Sequence, residues 1–156
     1  MKEKVKIIEC PRDAMQSIMT FIPTKTKLKY LQSVVDVGFD IVDIGSFVSS
    51  KVIPQLSDTK EIIDSINISN SNSKLLTIVA NKKGAENASL YEKISFIGYP
   101  FSISESFQIR NTNKTINDSL DELDNILTIS DKANKETVVY LSMCFGNPYG
   151  DPWNLD

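Results

Sequence analysis

Short apolar runs recur at residues 5–8, 41–42, 75–79, 94–97 and 138–141, rich in valine, isoleucine, leucine and phenylalanine. Runs of this length with β-branched residues predict strands. The run at 75–79 is continuously apolar, which predicts a strand covered on both faces. Between the runs, apolar positions return at three- and four-residue spacing. Leu28, Leu31 and Val35 predict a helix opening at Pro23-Thr24, with Thr24 as its cap and Gly38 as its stop. Ile62, Ile63 and Ile66 predict a second helix, capped by Ser57 or by Asp58, whose partner Glu61 stands at capping-box spacing. Ala85, Ala88 and Tyr91 predict a short helix after Asn81. Ile116, Leu120, Leu123 and Leu127 predict the apolar face of a longer one, opened by a Thr115–Asp118 capping box. Residues 67–73 and 102–114 read as polar connections.

Strand and helix therefore alternate until a fifth strand. Such alternation implies parallel strands joined by right-handed helical crossovers, in an open doubly wound sheet or in a barrel. The segment after the first strand, Cys10-Pro11-Arg12-Asp13, has no glycine, which argues against a nucleotide-binding fingerprint. Polar residues gather instead beyond several strands: Arg12 and Asp13, Asp43 at the far end of the second strand with Ser46 after it, Asn81, Ser104 and Glu105, then Cys144 and Asn147. Loops converging from many strand ends form a barrel mouth, so the barrel is the favoured α/β architecture. A complete eight-stranded barrel takes about 250 residues, and this chain has 156. The expectation is a partial (β/α)8 TIM barrel of about five parallel β/α units, with residues 1–156 as the amino-terminal part of one barrel domain and the carboxyl-terminal part absent.

Composition narrows the chemistry. The chain contains no histidine, which excludes a Ser-His-Asp arrangement and a histidine-bearing zinc site within it. Carboxylates, arginine, cysteine or an oxygen-held metal remain. Seventeen basic and twenty acidic residues give a formal charge of -3, with no basic stripe to displace phosphate counterions, so no nucleic-acid partner is expected. No apolar run approaches the roughly 18 residues that span a bilayer, and no membrane partner is expected. Two cysteines, Cys10 and Cys144, are too few for a disulfide framework, which makes a cytoplasmic location the expectation. The charged start, Met1 to Lys4, leads into a strand pattern and not a signal-peptide core.

The densest chemistry lies in Ile7-Ile8-Glu9-Cys10-Pro11-Arg12-Asp13-Ala14-Met15-Gln16. Proline stops the ladder, and a cationic fork, a carboxylate and an amide follow at once. Such a set can hold a metal-bound anionic substrate. It can equally be a salt bridge closing a strand end.

The motif Pro11-Arg12-Asp13-Ala14-Met15-Gln16 resembles the Pro-Arg-Asp-Gly-Leu-Gln signature of 3-hydroxy-3-methylglutaryl-CoA lyases, barrel metallolyases related to isopropylmalate and homocitrate synthases. Ser46-Phe47-Val48-Ser49-Ser50-Lys51 with Pro54-Gln55 is similar to their Ser-Phe-Val-Ser-Pro-Lys and Pro-Gln segment. Asn81-Lys82-Lys83-Gly84 resembles their Asn-Leu-Lys-Gly, and Ser104-Glu105-Ser106-Phe107 with Asn111 resembles their fourth-strand loop. Phe145-Gly146-Asn147-Pro148-Tyr149 is similar to Phe-Gly-Cys-Pro-Tyr after strand five.

The resemblance implies a carbon–carbon lyase that cleaves 3-hydroxy-3-methylglutaryl-CoA to acetyl-CoA and acetoacetate with Mg2+ or Mn2+, a step of leucine degradation. It implies Asp13 as metal ligand, and Arg12 and Asp43 as catalytic residues, Asp43 standing where the family has glutamate. Arg12, Gln16, Ser46, Asn81, Ser104 and Glu105 are the implied substrate-binding residues. The family's metal-ligating histidines, its asparagine ligand and its catalytic cysteine lie beyond strand five, so the isolated chain is expected to be inactive. Cys144 is expected to be an ordinary buried thiol. The implied partners are an acyl-CoA substrate, the remaining half of the barrel and, through open sheet edges, a second copy in a homo-oligomer. Two other readings stay open: a related synthase or aldolase condensing an acyl-CoA with a 2-oxo acid, and a non-catalytic half-barrel association module.

Overall fold

Five strands, β1 (Ile8–Glu9), β2 (Ile41–Ser46), β3 (Lys74–Ile78), β4 (Ile94–Ser102) and β5 (Glu136–Ser142), form one sheet in sequence order with every neighbouring pair parallel. This computed structural model describes residues 5–154; Met1 to Lys4, Leu155 and Asp156 lie outside the described residues. Sequential order has an architectural consequence. A doubly wound sheet reverses its strand order at a switch point, whereas unbroken order curls one way. The five strands are thus a curled half-barrel, a partial TIM barrel.

Alternation along the strands divides the apolar residues between two layers. Ile41, Leu76, Ile78 and Phe96 face the concave interior with Ile8, Val138 and Tyr140 beside them. Val42, Ile44, Leu75, Val79, Ile97 and Tyr99 belong to the larger cluster, packed against Leu31, Val35, Ile62, Ile63, Ala85, Ala88 and Ile126 of the covering helices. Those helices are α2 (Thr24–Val37), α3 (Thr59–Ser65), α4 (Lys82–Ser89) and α6 (Ile116–Lys132). Gly98 makes the concave layer possible: a Cβ there would lie 2.5 Å from the Ile78 Cδ1 and 3.0 Å from a Leu76 methyl. Gly38 ends α2 in the left-handed conformation (φ 85°), as its place in the sequence predicts.

Several local expectations are corrected. The first strand pairs only at Ile8 and Glu9, not over 5–8, because its one described neighbour is β2. The polar residues after it are not a loop but a helix, α1 (Pro11–Gln16), with Pro11 at the position where a missing donor costs nothing. Asp43 is not at the far end of β2; it is the third residue of a six-residue strand whose register against β3 shifts between Asp43 and Gly45. Thr24 is the first residue of α2, with Pro23 in the cap position. Asp58 precedes α3 without capping it, since its side chain is paired with Lys27. Residues 102–114 contain a further helix, α5 (Glu105–Thr112).

The Thr115–Asp118 capping box of α6 forms as predicted, but the helix's buried side is Ser119, Ile126 and Ser130. Leu120 and Leu127 are exposed. Ser119 turns inward because it bonds the buried Gln108 amide and its carbonyl accepts from the Tyr99 hydroxyl.

Candidate functional site

The cavity of interest opens at the carboxyl ends of the strands, the end where barrel chemistry is built. It encloses about 390 Å3 and is lined by Cys10, Arg12, Asp13 and Gln16 after β1, by Ser46 at the end of β2 and Val48, Val52 and Ile53 after it, by Phe107, Asn111 and Thr112 of α5, and by Tyr140 and Ser142 of β5. A larger cleft of about 600 Å3 lies at the opposite ends of β3 to β5, among Lys74, Glu92, Asp131, Lys135 and Glu136. Its charges are mixed and it holds none of the residues singled out above.

Local sequence fixes the first wall. Pro11 starts α1 directly after β1, so Arg12, Asp13 and Gln16 share one and a half helical turns. Gln16 lies four residues beyond Arg12, within reach of its side chain. Arg12 Nη1 donates to Asp13 Oδ1 at 3.1 Å and to Gln16 Oε1 at 2.8 Å, and Gln16 Nε2 donates to Asp13 Oδ1 at 2.9 Å. The other edge of the guanidinium grips β2: Nε and Nη2 both donate to Asp43 Oδ2, at 3.0 and 2.7 Å. Four of the five N–H groups a guanidinium carries are therefore engaged, and Nη2 keeps one. The Asp43 side chain is fully buried, that of Arg12 is 11% exposed and that of Asp13 is 61% exposed. The set grades from interior to mouth.

The electrostatics follow that gradient. Burial pushes Asp43 up to about 6, with the hydrogen bonds and charge of Arg12 opposing it and the charge of Asp13 adding to it. Burial pulls the Arg12 guanidinium down, but Asp43 more than reverses this and leaves it raised. Arg12 is accordingly a permanent cation. Burial raises the Cys10 thiol, with the charge of Asp43 adding to it. Tyr140 is raised strongly by burial and by the same carboxylate. Both Asp43 Oδ1 and the Tyr140 hydroxyl are buried with no protein partner among the described residues.

The structure brings Arg12, Asp13, Gln16 and Ser46 to one cavity and sets Asp43 behind Arg12. It does not bring the other three there. Asn81 caps α4 by accepting from the Gly84 N–H at 2.9 Å, and its neighbour Ala80 lines the cavity. Ser104 caps α5, and its hydroxyl is 2.5 Å from Asp151 Oδ2. Glu105 accepts from the Ile116 N–H at 2.9 Å. Cys10, Thr112, Tyr140 and Ser142 line the site without having been singled out from the sequence for it, and Asn111 entered only through the resemblance. The inward alternation of Tyr140 and Ser142 at the end of a strand is the signal that could have found those two.

The donor set alone does not suit a divalent cation. Among the described residues no group of three or more His, Cys, Asp or Glu could hold a metal, and Asp13 Oδ1 already accepts two hydrogen bonds. Magnesium and manganese take about six oxygen-rich ligands. Asp13 can be one of them.

No family model matches this sequence. Individual relatives do. The mitochondrial hydroxymethylglutaryl-CoA lyase of Arabidopsis thaliana is 33% identical over 149 residues, covering 95% of this chain and 31% of the relative. The hydroxymethylglutaryl-CoA lyase of Bacillus subtilis is 34% identical over 148 residues, covering 94% of this chain and 49% of the relative. Among solved structures, the HMG-CoA lyase of Bacillus subtilis superposes with a TM-score of 0.89 at 33% identity, over 97% of this chain and 50% of that one. An HMG-CoA lyase of Acinetobacter baumannii, in complex with coenzyme A and 3-methylmalate, superposes with a TM-score of 0.86 at 25% identity, over 96% and 48%. In sequence and in fold the chain resembles the amino-terminal part of hydroxymethylglutaryl-CoA lyases, and it spans half or less of the length of these relatives.

Proposed function

We propose that this chain, similar throughout to hydroxymethylglutaryl-CoA lyases, supplies the arginine half of a carbon–carbon lyase site acting on 3-hydroxy-3-methylglutaryl-CoA. The observation that carries the reading is Arg12, clamped by buried Asp43 and facing the cavity at the strand ends. Cleavage to acetyl-CoA and acetoacetate requires the tertiary hydroxyl to lose its proton. The bond between C2 and C3 then breaks, its electron pair forming the enolate of acetyl-CoA while C3 becomes a ketone. Negative charge therefore grows on the thioester oxygen. A guanidinium already oriented by Asp43, Asp13 and Gln16 stabilises that charge without reorganising, and its remaining N–H is the donor available to it.

Gln16 and Ser46 offer neutral donors and acceptors along the same wall. The described residues do not by themselves form the Mg2+ or Mn2+ site that the resemblance implies. Asp13 is the ligand this chain would give it, the others coming from a segment that closes the barrel. That segment is the proposed partner, and it would also cover the exposed Leu120, Leu127 and Leu141.

Acetyl-CoA release from 3-hydroxy-3-methylglutaryl-CoA, measured with and without Mn2+, tests the reading on the chain alone and on the chain mixed with the carboxyl-terminal half of the Bacillus subtilis lyase. The chain alone is expected to be inactive and the pair active. In the pair, Asp13→Ala removes metal binding and turnover together. Arg12→Ala retains metal and lowers turnover by roughly 100-fold or more, because its interaction strengthens as the enolate forms. A pair that condenses acetyl-CoA with a 2-oxo acid and does not cleave the substrate overturns the lyase reading in favour of a synthase.

A further inference from the structure

The most deeply buried cation among the described residues plays no part in the chemistry proposed above. Lys27 of α2 is fully inaccessible. Its ammonium donates to Asp58 Oδ1 at 2.7 Å and to the Gln55 carbonyl, and lies 4.1 Å from the centre of the Phe21 ring. Gln55, itself buried, spends its whole side-chain amide on the loop between α1 and α2. Its Nε2 donates to the carbonyls of Ile18 and Thr20, both at 2.9 Å, and its Oε1 accepts from the Ile22 N–H at 2.9 Å. Three contacts to alternate residues hold that loop as a strand partner would. A buried lysine is costly unless it is paired and hydrogen-bonded, and the bonds of Lys27 to Asp58 and to the Gln55 carbonyl fix the Gln55 turn.

What it fixes joins two walls of the cavity. The loop follows directly from α1, which carries Arg12, Asp13 and Gln16, and Ile18 N–H donates to the Met15 carbonyl of that helix at 3.0 Å. On the other side, Gln55 sits in the 3-10 turn Pro54–Leu56, immediately after Val52 and Ile53, which line the cavity together with the residues of α1. Ile18, Met19, Phe21 and Val52 are exposed, while Met15, Ile22 and Leu56 anchor α1, the loop and the turn to apolar surroundings. The buried polar groups add the direct bonds from the turn to the loop.

We propose that Lys27, Gln55 and Asp58 form a clasp that sets α1 at a fixed distance from the 48–53 segment, making Gln55 and Lys27 positioning residues for the Arg12–Asp13 site. The inference takes the proposed lyase site as its object, but the clasp is testable without turnover, so the two can fail separately. Cys10 precedes α1, lines the cavity, and its carbonyl accepts from the Asp13 and Ala14 N–H groups. Its thiol therefore reports where α1 stands.

The experiment measures alkylation of Cys10 by iodoacetamide in the full chain carrying Cys144→Ser, well below the unfolding temperature. Gln55→Ala is expected to speed the reaction roughly tenfold by freeing α1 to move locally. Lys27→Arg, which keeps the charge, is expected to stay nearer the parent than Lys27→Met. Ile126→Val, in the core of α6 and far from the clasp, serves as a control for lost stability and is expected to leave the rate unchanged. The inference is overturned if Gln55→Ala leaves the rate unchanged, or if Ile126→Val raises it equally at a matched fall in melting temperature. Should Lys27→Met fail to fold, Gln55→Ala alone decides.

Discussion

Two ion pairs, Arg12–Asp43 and Lys27–Asp58, each join residues 31 positions apart and tie a helix to the next β/α unit. Both carboxylates are buried or nearly so, and each leaves one oxygen without a partner among the described residues. The difference lies in the cation. Lys27 is sealed under an aromatic ring and between two acceptors, with no path to a ligand. Arg12 spreads its fork over three side chains and lines an open cavity. An ion pair becomes a candidate site when its cation retains a donor facing space, and a scaffold when it does not. Type and sequence separation do not distinguish them.

The comparison breaks most sharply at Lys27. Lys27→Met strands Asp58 beside an apolar chain and is expected to cost roughly 3–5 kcal/mol in urea unfolding. An effect below about 1 kcal/mol would place the pair outside the scaffold.

The next effect depends on pH. The folded-state value of Asp43, about 6, lies above the 3.8 of an ordinary aspartate. Its contribution to stability is therefore complete below about pH 4 and is lost as pH rises through 6, because the folded state binds the proton more tightly. The full swing is up to about 3 kcal/mol. Asp43→Asn should flatten stability across that window, measured by urea unfolding at pH 4, 5, 6 and 7. An unchanged slope would show that other groups produce it.

Smallest is Arg12→Lys. An ammonium can keep Asp43 Oδ2 but cannot also hold Asp13 and Gln16 in one plane, so a loss of about 1 kcal/mol is expected. A loss comparable to that of Lys27→Met would erase the contrast between the two pairs.

The sequence shows the five strands and four covering helices because their apolar residues recur at strand or helix spacing. It hides α1 and α5 because neither has a continuous apolar stripe; each buries only one or two residues. In α5 the signals are at the ends, Ser104 accepting from the Phe107 N–H and Asn113 in the left-handed conformation. On α6 the leucines suggest one face, yet Ser119 is buried because a glutamine and a tyrosine from elsewhere in the fold reach it.

The site divides in the same way. Arg12, Asp13, Gln16 and Ser46 fall in contiguous motifs that can be read locally. Tyr140 and Thr112 reach the cavity only once the sheet has curled, and no local pattern encodes curvature. Asn81 and Ser104 follow strands and are polar, but both side chains are taken up by helix N-termini. Residue type alone does not separate a cap from a ligand.

The ladder lengths along the sheet carry a final consequence. β4 and β5 pair at seven positions, β1 and β2 at two. Beyond those two, β1 is moored by the Ile41 N–H on the Ile7 carbonyl and by Asp40 Oδ2 on the Ile7 N–H. The strand that delivers Arg12 thus has the shortest ladder in the sheet, and the Arg12–Asp43 pair crosses the same seam. Whatever settles between Arg12 and the far wall does more than fill a cavity: it adds a rivet beside the shortest ladder of the sheet, and a ligand held there stabilises the fold by its binding free energy.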